Sequence, residues 1–184
     1  MAPFALSVVH GSYAFIIRGN VFWYKRKQTM NSLKLLLHKS GLKDTYVEDG
    51  VVFGPFGKII IGKRCRFYAP SVIDPKGGSI EIGDETWIEP FVVIYGQGGV
   101  KIGRGCAIAP SVIIAPFNHA WPSIGLKETK EGIVIEDNVW LGTGSIILDG
   151  VKVGKGSVIG AGAIVTADIP PNSMAMGNPA RLVR

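Results

Sequence analysis

Aliphatic residues recur at every sixth position through the C-terminal part of the chain. From Ile135 the sequence divides into sixes that open on an aliphatic residue, often followed by Gly: IEDNVW, LGTGSI, ILDGVK, VGKGSV, IGAGAI and VTADIP. The fifth position of the first five is small or β-branched. A period of six fits neither the 3.6-residue repeat of a helix nor the two-residue alternation of a strand. It is typical of a β-solenoid in which six residues form one short strand and one corner, with the first residue pointing inward.

The same register extends upstream. Sixes begin at Ile102 (IGRGCA, IAPSVI, IAPFNH) and at Ile82 (IGDETW, IEPFVV, IYGQGG). A weaker coil begins at Ile61 with IGKRCR and FYAPSV, and residues 51–57 form a partial one. The pattern therefore predicts a continuous stack of coils over most of the chain.

The spacing of the sixes predicts where the stack is interrupted. Three sixes make one triangular coil of eighteen residues, which is the step from Ile135 to Val153. The step from Ile82 to Ile102 is twenty residues, which predicts a two-residue bulge near Gly96 to Gly99. The step from Ile102 to Ile135 is thirty-three residues, so about fifteen residues leave the stack as a loop.

These patterns predict an all-β solenoid with attachments at both ends. We assign residues 1–46 to an N-terminal helical and basic segment, residues 47–169 to the solenoid with an extruded loop at 119–132, and residues 170–184 to a C-terminal tail. Pro170 and Pro171 break the period, and Met174 to Met176 are expected to add one more strand. Hydrophobic residues make up 47% of the sequence, enough for a continuous core.

The net charge of +6 belongs to the N-terminal segment. Residues 1–45 contain seven Lys or Arg and one acidic residue, whereas the rest of the chain is balanced. A neutral solenoid does not favour binding of nucleic acid. Residues 12–27 combine aromatic and aliphatic residues with a basic cluster, which predicts either a helix on an anionic membrane surface or a cap on the first coils. Residues 32–40 are predicted to form a short helix that ends before Gly41.

The pattern of apolar residues and the positions of the cysteines predict a cytoplasmic protein. The sequence has no run of eighteen apolar residues, and its N-terminus lacks the pattern of a secretory signal. We expect a cytoplasmic protein, with contact at the inner face of the membrane if residues 12–27 bind lipid. Cys65 and Cys106 occupy the inward fifth position of their sixes, so we interpret them as buried, unpaired thiols.

Chemically active side chains are few in the predicted solenoid. His119 begins the extruded loop, which also contains Trp121. Such loops are often functional. Glu89 stands at the second position of a six, and either faces solvent or points into a site beside a neighbouring subunit.

The segment EDNVWLGTGSIILDGVKVGKGSVIGAGAIVTADIPPNSMAMGNPARLVR resembles the hexapeptide-repeat acetyltransferases, in particular those acting on galactosides, maltose and polysaccharides. Four motifs together carry the resemblance: VWLG, IGAGAIVT, DIPPN and GNPAR. The resemblance is strong over residues 82–184, fair over 51–81 and absent over 1–50. It implies a left-handed parallel β-helix, a homotrimer with active sites between subunits, acetyl-coenzyme A as donor and no metal.

The resemblance places the catalytic base at His119. An alcohol is a poor nucleophile near neutral pH, and an imidazole with a pKa of about 6.5 is suited to take its proton and return it. The tetrahedral oxyanion would then accept a hydrogen bond from a backbone N–H at the Gly142–Thr143 corner.

The resemblance also implies binding residues for both substrates. For coenzyme A they are Gly142, Thr143, Ala161, Thr166 and Arg181, with Arg184 assisting at a phosphate. For the acceptor the resemblance implies Trp140, and the positions of Asn118, Glu89 and Trp121 in the repeat and the loop make them further candidates. Asn118 is also compatible with a buried structural role at the inward fifth position, and Trp140 with packing. Ala167 stands where related enzymes often have Lys, and the asparagine of some sugar acetyltransferases is missing near Glu89 and Phe91, which leaves the acceptor open.

The predicted function is acetyl-coenzyme A-dependent O-acetylation of a sugar or lipid-linked sugar in polysaccharide or glycoconjugate biosynthesis. The alternatives are N-acetylation of an amino sugar, O-acetylation of serine, and a non-catalytic binding scaffold. A γ-class carbonic anhydrase shares the fold but needs three histidines on zinc. The predicted solenoid contains His119 alone, so that function is disfavoured.

Overall fold

The computed structural model describes the backbone of residues 4–9, 12–17 and 20–25, and it describes residues 44–54, 56–119 and 128–183. Within these ranges the chain is a parallel β-solenoid without helices. No described helix is therefore long or apolar enough to cross a bilayer. The predicted helix at residues 32–40 lies outside the described residues.

Three sheets form the sides of the solenoid. Sheet A contains five parallel strands: β6 (Lys58–Ile61), β9 (Ser79–Ile82), β12 (Val100–Ile102), β17 (Ile133–Ile135) and β20 (Lys152–Val153). Sheet B contains β4 (Tyr46–Val47), β7 (Arg66–Phe67), β10 (Trp87–Ile88), β13 (Ala107–Ile108), β18 (Trp140–Leu141), β21 (Val158–Ile159), β23 (Met174–Met176) and β24 (Arg181–Leu182). Sheet C contains β5 (Val51–Phe53), β8 (Ser71–Asp74), β11 (Val93–Tyr95), β14 (Ile113–Ala115), β19 (Ile146–Leu148) and β22 (Ile164–Val165). Each coil runs from A to B to C, and we name its corners A–B, B–C and C–A.

The strand register confirms the predicted coil lengths. Ile102 pairs with Ile82 on one side and with Ile135 on the other, and Ile135 pairs with Val153. The two extra residues fall where the spacing predicts, because Gly99 donates a backbone hydrogen bond to Gly96 at 2.9 Å and closes a tight turn. The aliphatic period is therefore the structural repeat of the molecule.

Inward residues of successive coils stack into columns. On sheet C, Ile73, Ile94, Ile114, Ile147 and Val165 are in register and fully buried. Neighbouring strands lie about 4.8 Å apart, so each side chain contacts the one above and the one below. Burial of apolar area at each step favours addition of the next coil.

The two cysteines are buried and unpaired, as predicted. The Cys65 thiol donates to the Gly83 carbonyl at 3.2 Å and the Cys106 thiol to the Glu136 carbonyl at 3.1 Å. Burial raises the pKa of Cys65 to about 11 and also raises the pKa of Cys106. Both thiols are protonated near neutral pH, which disfavours a role as nucleophile.

Side-chain carboxylates pair with backbone N–H groups at two corners and on strand β20. Asp84 accepts from the N–H of Lys63 at 2.8 Å, Asp137 from Arg104 at 2.9 Å, and Asp168 from Lys152 at 2.7 Å. In each pair the carboxylate belongs to the following coil. These bonds satisfy backbone donors that the sheet ladders leave open.

The helix predicted over residues 12–27 was wrong, because the described residues in this range form strands. The described backbone forms β1 (Phe4–Val9), β2 (Ser12–Ile17) and β3 (Asn20–Lys25) in an antiparallel meander. Strand β1 pairs antiparallel with β6 and extends sheet A. The runs are rich in β-branched and aromatic residues and are separated by His10-Gly11 and Arg18-Gly19, a composition and spacing that favour hairpins. Membrane contact by this segment stays a prediction.

The C-terminal tail continues the stack. Strand β23 pairs in parallel with β21, which confirms the strand expected at Met174–Met176. Strand β24 then reverses and pairs antiparallel with β23, with Ala175 opposite Leu182 and Met176 opposite Arg181.

Candidate functional site

The extruded loop leaves the solenoid at the C–A corner after β14. Strands β15 (Asn118–His119) and β16 (Glu128–Thr129) form an antiparallel ribbon at its base, with His119 opposite Glu128. Asn118 is exposed, which corrects its predicted inward position. The hexapeptide register ends after Pro116, because Asn118 pairs with Thr129 across the ribbon. The side chain of His119 and all of Trp121 lie outside the described residues.

Both ends of the loop are anchored on the solenoid. The Asp149 carboxylate accepts hydrogen bonds from the N–H groups of Glu131 at 3.2 Å and Gly132 at 2.9 Å. A Cβ on Gly98 would lie 3.0 Å from the Gly132 nitrogen and would clash with the Pro116 carbonyl. Glycine at position 98 therefore lets both loop ends approach the coil beneath, which fixes the start of the His119 strand.

An aromatic contact supports the outgoing chain. The rings of Phe117 and Tyr95 meet edge to face with centroids 6.1 Å apart. The Lys76 ammonium lies 5.4 Å from the centre of the Tyr95 ring and 3.3 Å from Asp74. These contacts hold the residues that precede His119 against the C–A corner.

Three residues predicted to bind coenzyme A lie at the B–C corners of two consecutive coils: Gly142, Thr143 and Ala161. The Gly162 N–H donates to the Thr143 carbonyl at 2.9 Å, which fixes the spacing between these coils. A Cβ on Gly142 would lie 2.7 Å from the Ala161 nitrogen, so glycine is needed for the close approach. Thr143 and Ala161 are exposed along this edge.

The B–C corner changes its hydrogen-bonding character along the stack. In the three coils that contain β7, β10 and β13, the middle of this corner is Pro70, Pro90 or Pro110, which have no N–H. At Thr143 and Ala161 an N–H is present, and neither donates to another group within the described part of the chain. Two adjacent coils thus offer backbone donors to a ligand. The replacement of Pro is visible in the sequence, although sequence reasoning did not use it.

The remaining predicted residues are dispersed. Thr166 is exposed at the C–A corner, on the same edge as the loop. Trp140 is 54% exposed on sheet B, and half-buried Glu89 lies on the edge that Gly142 occupies two coils later. Arg181 is exposed on β24 and donates to the Ala180 carbonyl at 2.9 Å. Arg184 lies outside the described residues.

In a single chain, sheet C separates the predicted site residues into two groups. His119 and Thr166 lie on its C–A edge, whereas Thr143 and Ala161 lie on its B–C edge. The coils are triangular, so these edges face different directions. One chain alone does not bring the predicted base close to the open amides.

In the described part of the chain, two depressions have none of the predicted site residues in their lining. A groove of about 650 Å³ runs over sheet A, with Glu81 and Lys101 on its floor. A hollow of about 530 Å³ lies on sheet B, and its lining is Arg64, Arg66, Glu85, Trp87, Gly105, Cys106 and Ala107. Glu85 accepts hydrogen bonds from Arg64 and Arg104, and the Arg64 contact is the main cause of its lowered pKa. Sequence reasoning did not identify either depression, because each is built from residues of several coils.

The fold and its corners define a hexapeptide-repeat β-solenoid. The family model described as bacterial transferase hexapeptide (six repeats) matches residues 132–167. A putative colanic acid biosynthesis acetyltransferase, WcaF, of Escherichia coli K12 is 30% identical over 124 residues, which are 67% of this chain and 68% of that protein. The galactoside O-acetyltransferase of Lactococcus lactis is 34% identical over 128 residues, 67% of this chain and 61% of that protein. The chain belongs to the hexapeptide-repeat acetyltransferase family.

Solved structures agree with this assignment. The hexapeptide-repeat acetyltransferase VCA0836 from Vibrio cholerae is 28% identical with a TM-score of 0.62, over 84% of this chain and 90% of that chain. The same protein has been solved in complex with acetyl-coenzyme A, at a TM-score of 0.60 over 85% of this chain and 79% of that chain. This chain spans 42%, 61% and 58% of the length of three curated relatives that it matches.

Proposed function

We propose that the protein transfers an acetyl group from acetyl-coenzyme A to a hydroxyl group of a sugar acceptor. The observation that carries the proposal is the pair of open backbone amides at Thr143 and Ala161 in a solenoid whose extruded loop begins at His119. Relatives are named as acetyltransferases for galactosides and for colanic acid biosynthesis, and VCA0836 has been solved with acetyl-coenzyme A. These names support both substrate classes.

The proposed reaction is a direct transfer without an acyl-enzyme. The imidazole of His119 takes the proton of the acceptor hydroxyl while the hydroxyl oxygen attacks the thioester carbon. The carbonyl oxygen becomes an oxyanion and accepts a hydrogen bond from the Thr143 N–H. The carbon–sulfur bond then breaks, and the thiolate of coenzyme A takes the proton from His119. In this proposal the Ala161 N–H donates a hydrogen bond to a carbonyl of the pantetheine arm.

The separation of the two edges of sheet C supports a site shared between chains. We assign His119 to one subunit and the Thr143 corner to its neighbour in a homotrimer. Arg181 lies near the end of the stack, where its guanidinium group is suited to a phosphate of coenzyme A.

An acceptor screen tests the proposal. Full-length protein is incubated with acetyl-coenzyme A and a panel of sugars, amino sugars and serine, with release of free thiol as the readout and mass analysis of each product. We expect an acetylated sugar from the wild type, and a loss of about 10²–10⁴-fold in turnover for His119→Ala. Circular dichroism should show the same fold for both proteins. Wild-type turnover in His119→Ala would refute the assignment of the base, and acetylation of serine or an amine alone would refute the acceptor class.

A further inference from the structure

The outward residues of sheet B form a column in which one position is small. Trp87 pairs with Ala107, and Ala107 pairs with Trp140 on the next coil. Trp87 is 46% exposed and Trp140 is 54% exposed. Two strand spacings separate the tryptophans, about 9.5 Å. The methyl group of Ala107 leaves this space open, and the hollow of about 530 Å³ on sheet B lies over Ala107.

The aromatic side chain in the lining of the hollow is that of Trp87. The guanidinium group of Arg66 lies 5.1 Å from the centre of the Trp87 ring. Arg66 belongs to the preceding coil and Ala107 to the following coil. Arg66 therefore covers one face of the Trp87 ring, and the ring lines the hollow together with Ala107. An aromatic face of this kind binds the apolar side of a sugar ring or a planar base.

The charge at the hollow is unbalanced. Arg64 and Arg104 share the single carboxylate of Glu85. Arg66 forms no ion pair with any carboxylate in the described part of the chain. Guanidinium groups bind carboxylates and phosphates through paired hydrogen bonds. The wall of the hollow is therefore complementary to an anionic group beside a ring.

The position of the hollow relates it to the proposed reaction. Ala107 and Trp140 are in register, and Thr143 follows Trp140 by three residues on the same coil. At about 3.3 Å per residue, the hollow lies on the order of 10 Å from the Thr143 amide. That distance exceeds the width of one pyranose ring. A group bound in the hollow is one unit away from the sugar whose hydroxyl reacts.

We propose that the hollow on sheet B, beside Trp87 and Ala107, is a specificity subsite that binds an anionic, ring-containing unit joined to the acetylated sugar. Trp87 packs against the ring, and Arg66 and Arg64 pair with its carboxylate or phosphate. The acceptor is thus an extended anionic molecule. The role of this molecule as acetyl acceptor rests on the proposed function, whereas its binding in the hollow does not. The same chemistry is present in an acidic oligosaccharide and in a nucleoside diphosphate sugar.

The test compares matched ligands and variants by isothermal titration calorimetry and by thiol release. The probes are a galacturonic acid trisaccharide, UDP-galactose and a neutral galactose trisaccharide. The variants are Ala107→Phe, which fills the hollow, and Arg66→Gln, which removes its unpaired charge. Lys101→Gln removes one charge from sheet A and is the matched control.

We expect one charged probe to bind the wild type about tenfold or more tightly than the neutral probe, since hydrogen bonds to charged groups are among the stronger ones. Ala107→Phe and Arg66→Gln should each lose about tenfold in that affinity and raise the KM of the charged acceptor. The KM of acetyl-coenzyme A should not change, and Lys101→Gln should match the wild type. The charged probe that binds identifies an oligosaccharide or a nucleotide-linked acceptor.

Several outcomes would overturn the subsite. The first is equal binding of the charged and neutral probes, and the second is an unchanged affinity of Ala107→Phe for the charged probe. The third is a change in oligomeric mass in Ala107→Phe, which would make sheet B a subunit contact. Failure of the two proposals is distinguishable. Charge-dependent binding without thiol release from any acceptor would refute acetyl transfer alone, whereas acetylation of neutral sugars unaffected by the variants would refute the subsite alone.

Discussion

At the scale of single residues, one backbone amide distinguishes a structural corner from a candidate binding corner. Pro110 and Thr143 occupy equivalent positions on consecutive coils, since the Gly144 N–H donates to the Pro110 carbonyl at 2.9 Å. The chain follows the same path at both corners. Because proline has no N–H, only the Thr143 corner can donate to a ligand at this position.

This equivalence predicts that Thr143→Pro keeps the fold and loses activity. Proline at the same position of the preceding coil shows that the local backbone accepts it. Loss of one oxyanion donor should lower turnover by about 10²–10³-fold with little change in Tm. Thr143→Ala keeps the amide and removes the hydroxyl. An equal loss in both variants would assign the effect to the side chain and contradict the role of the N–H.

A second residue-scale prediction concerns pH and stability. Glu136 lies 2.7 Å from the Lys152 ammonium and accepts from the Lys155 N–H at 2.8 Å. The Lys152 contact is the main cause of the lowered pKa of Glu136, and Glu136 raises the pKa of Lys152. Because the pKa of Glu136 is lower in the folded state, its ionised carboxylate stabilises the fold at pH values above its ordinary pKa of 4.5. This stabilisation is lost as the pH falls through the pKa of the folded state. The raised ammonium pKa stabilises the fold below 10.5, and its contribution is lost as pH rises through the folded value.

Glu136→Gln should therefore lower Tm by about 1–3 °C near neutral pH, because an exposed ion pair contributes little. Thermal unfolding followed by circular dichroism between pH 3 and pH 8 is the measurement. The difference from the wild type should shrink below pH 4.5. A difference that is constant with pH would argue against the ion pair as its cause.

At the scale of elements, the extruded loop depends on its anchor. Asp149→Ala removes the carboxylate that holds the N–H groups of Glu131 and Gly132. A small displacement of a reacting group can cost on the order of 10²-fold in rate, so we expect turnover to fall by about 10–100-fold. Asp168→Ala removes a similar bond to the Lys152 N–H without touching the loop. If both variants keep full turnover, the anchor does not position His119.

Elements also show where a short-range pattern misleads. Residues 12–27 read as an amphipathic helix because aromatic residues precede a basic cluster, but strand content and hairpin spacing prevail in the structure. The pairing of β1 with β6 joins residues more than fifty positions apart in the sequence. No local periodicity encodes such a partner. The solenoid strands were predictable because every coil repeats the same six-residue pattern.

At the scale of the whole molecule, the sequence predicts the scaffold better than the site. Coil spacings follow from counting residues, and the confirmed register of Ile82, Ile102 and Ile135 shows this. The extruded loop also follows from the spacing, whereas the corner at Thr143 was predicted by resemblance to a family. The hollow on sheet B was not predicted, because Arg66, Trp87 and Ala107 are about twenty residues apart and meet only when the coils stack.

The whole assembly makes a further prediction. If a site combines His119 of one subunit with Thr143 of its neighbour, then His119→Ala and Thr143→Pro chains should complement each other. Each variant alone should be nearly inactive, whereas mixed trimers refolded from equal amounts should regain up to about a quarter of wild-type turnover. Light scattering should give a mass near three chains of 19.7 kDa. No recovery in verified mixed trimers would show that each chain carries its own complete site.

The reversal of strand direction at the two ends of the solenoid bears on aggregation. A parallel β-stack offers an open template at each end, and identical molecules could in principle add end to end into fibres. Strand β1 runs against β6 and strand β24 runs against β23, so an incoming coil meets backbone groups in the wrong orientation to continue the parallel ladder. The molecule thus ends its own repeat on sheets A and B, and the length of the stack is limited by direction as well as by sequence.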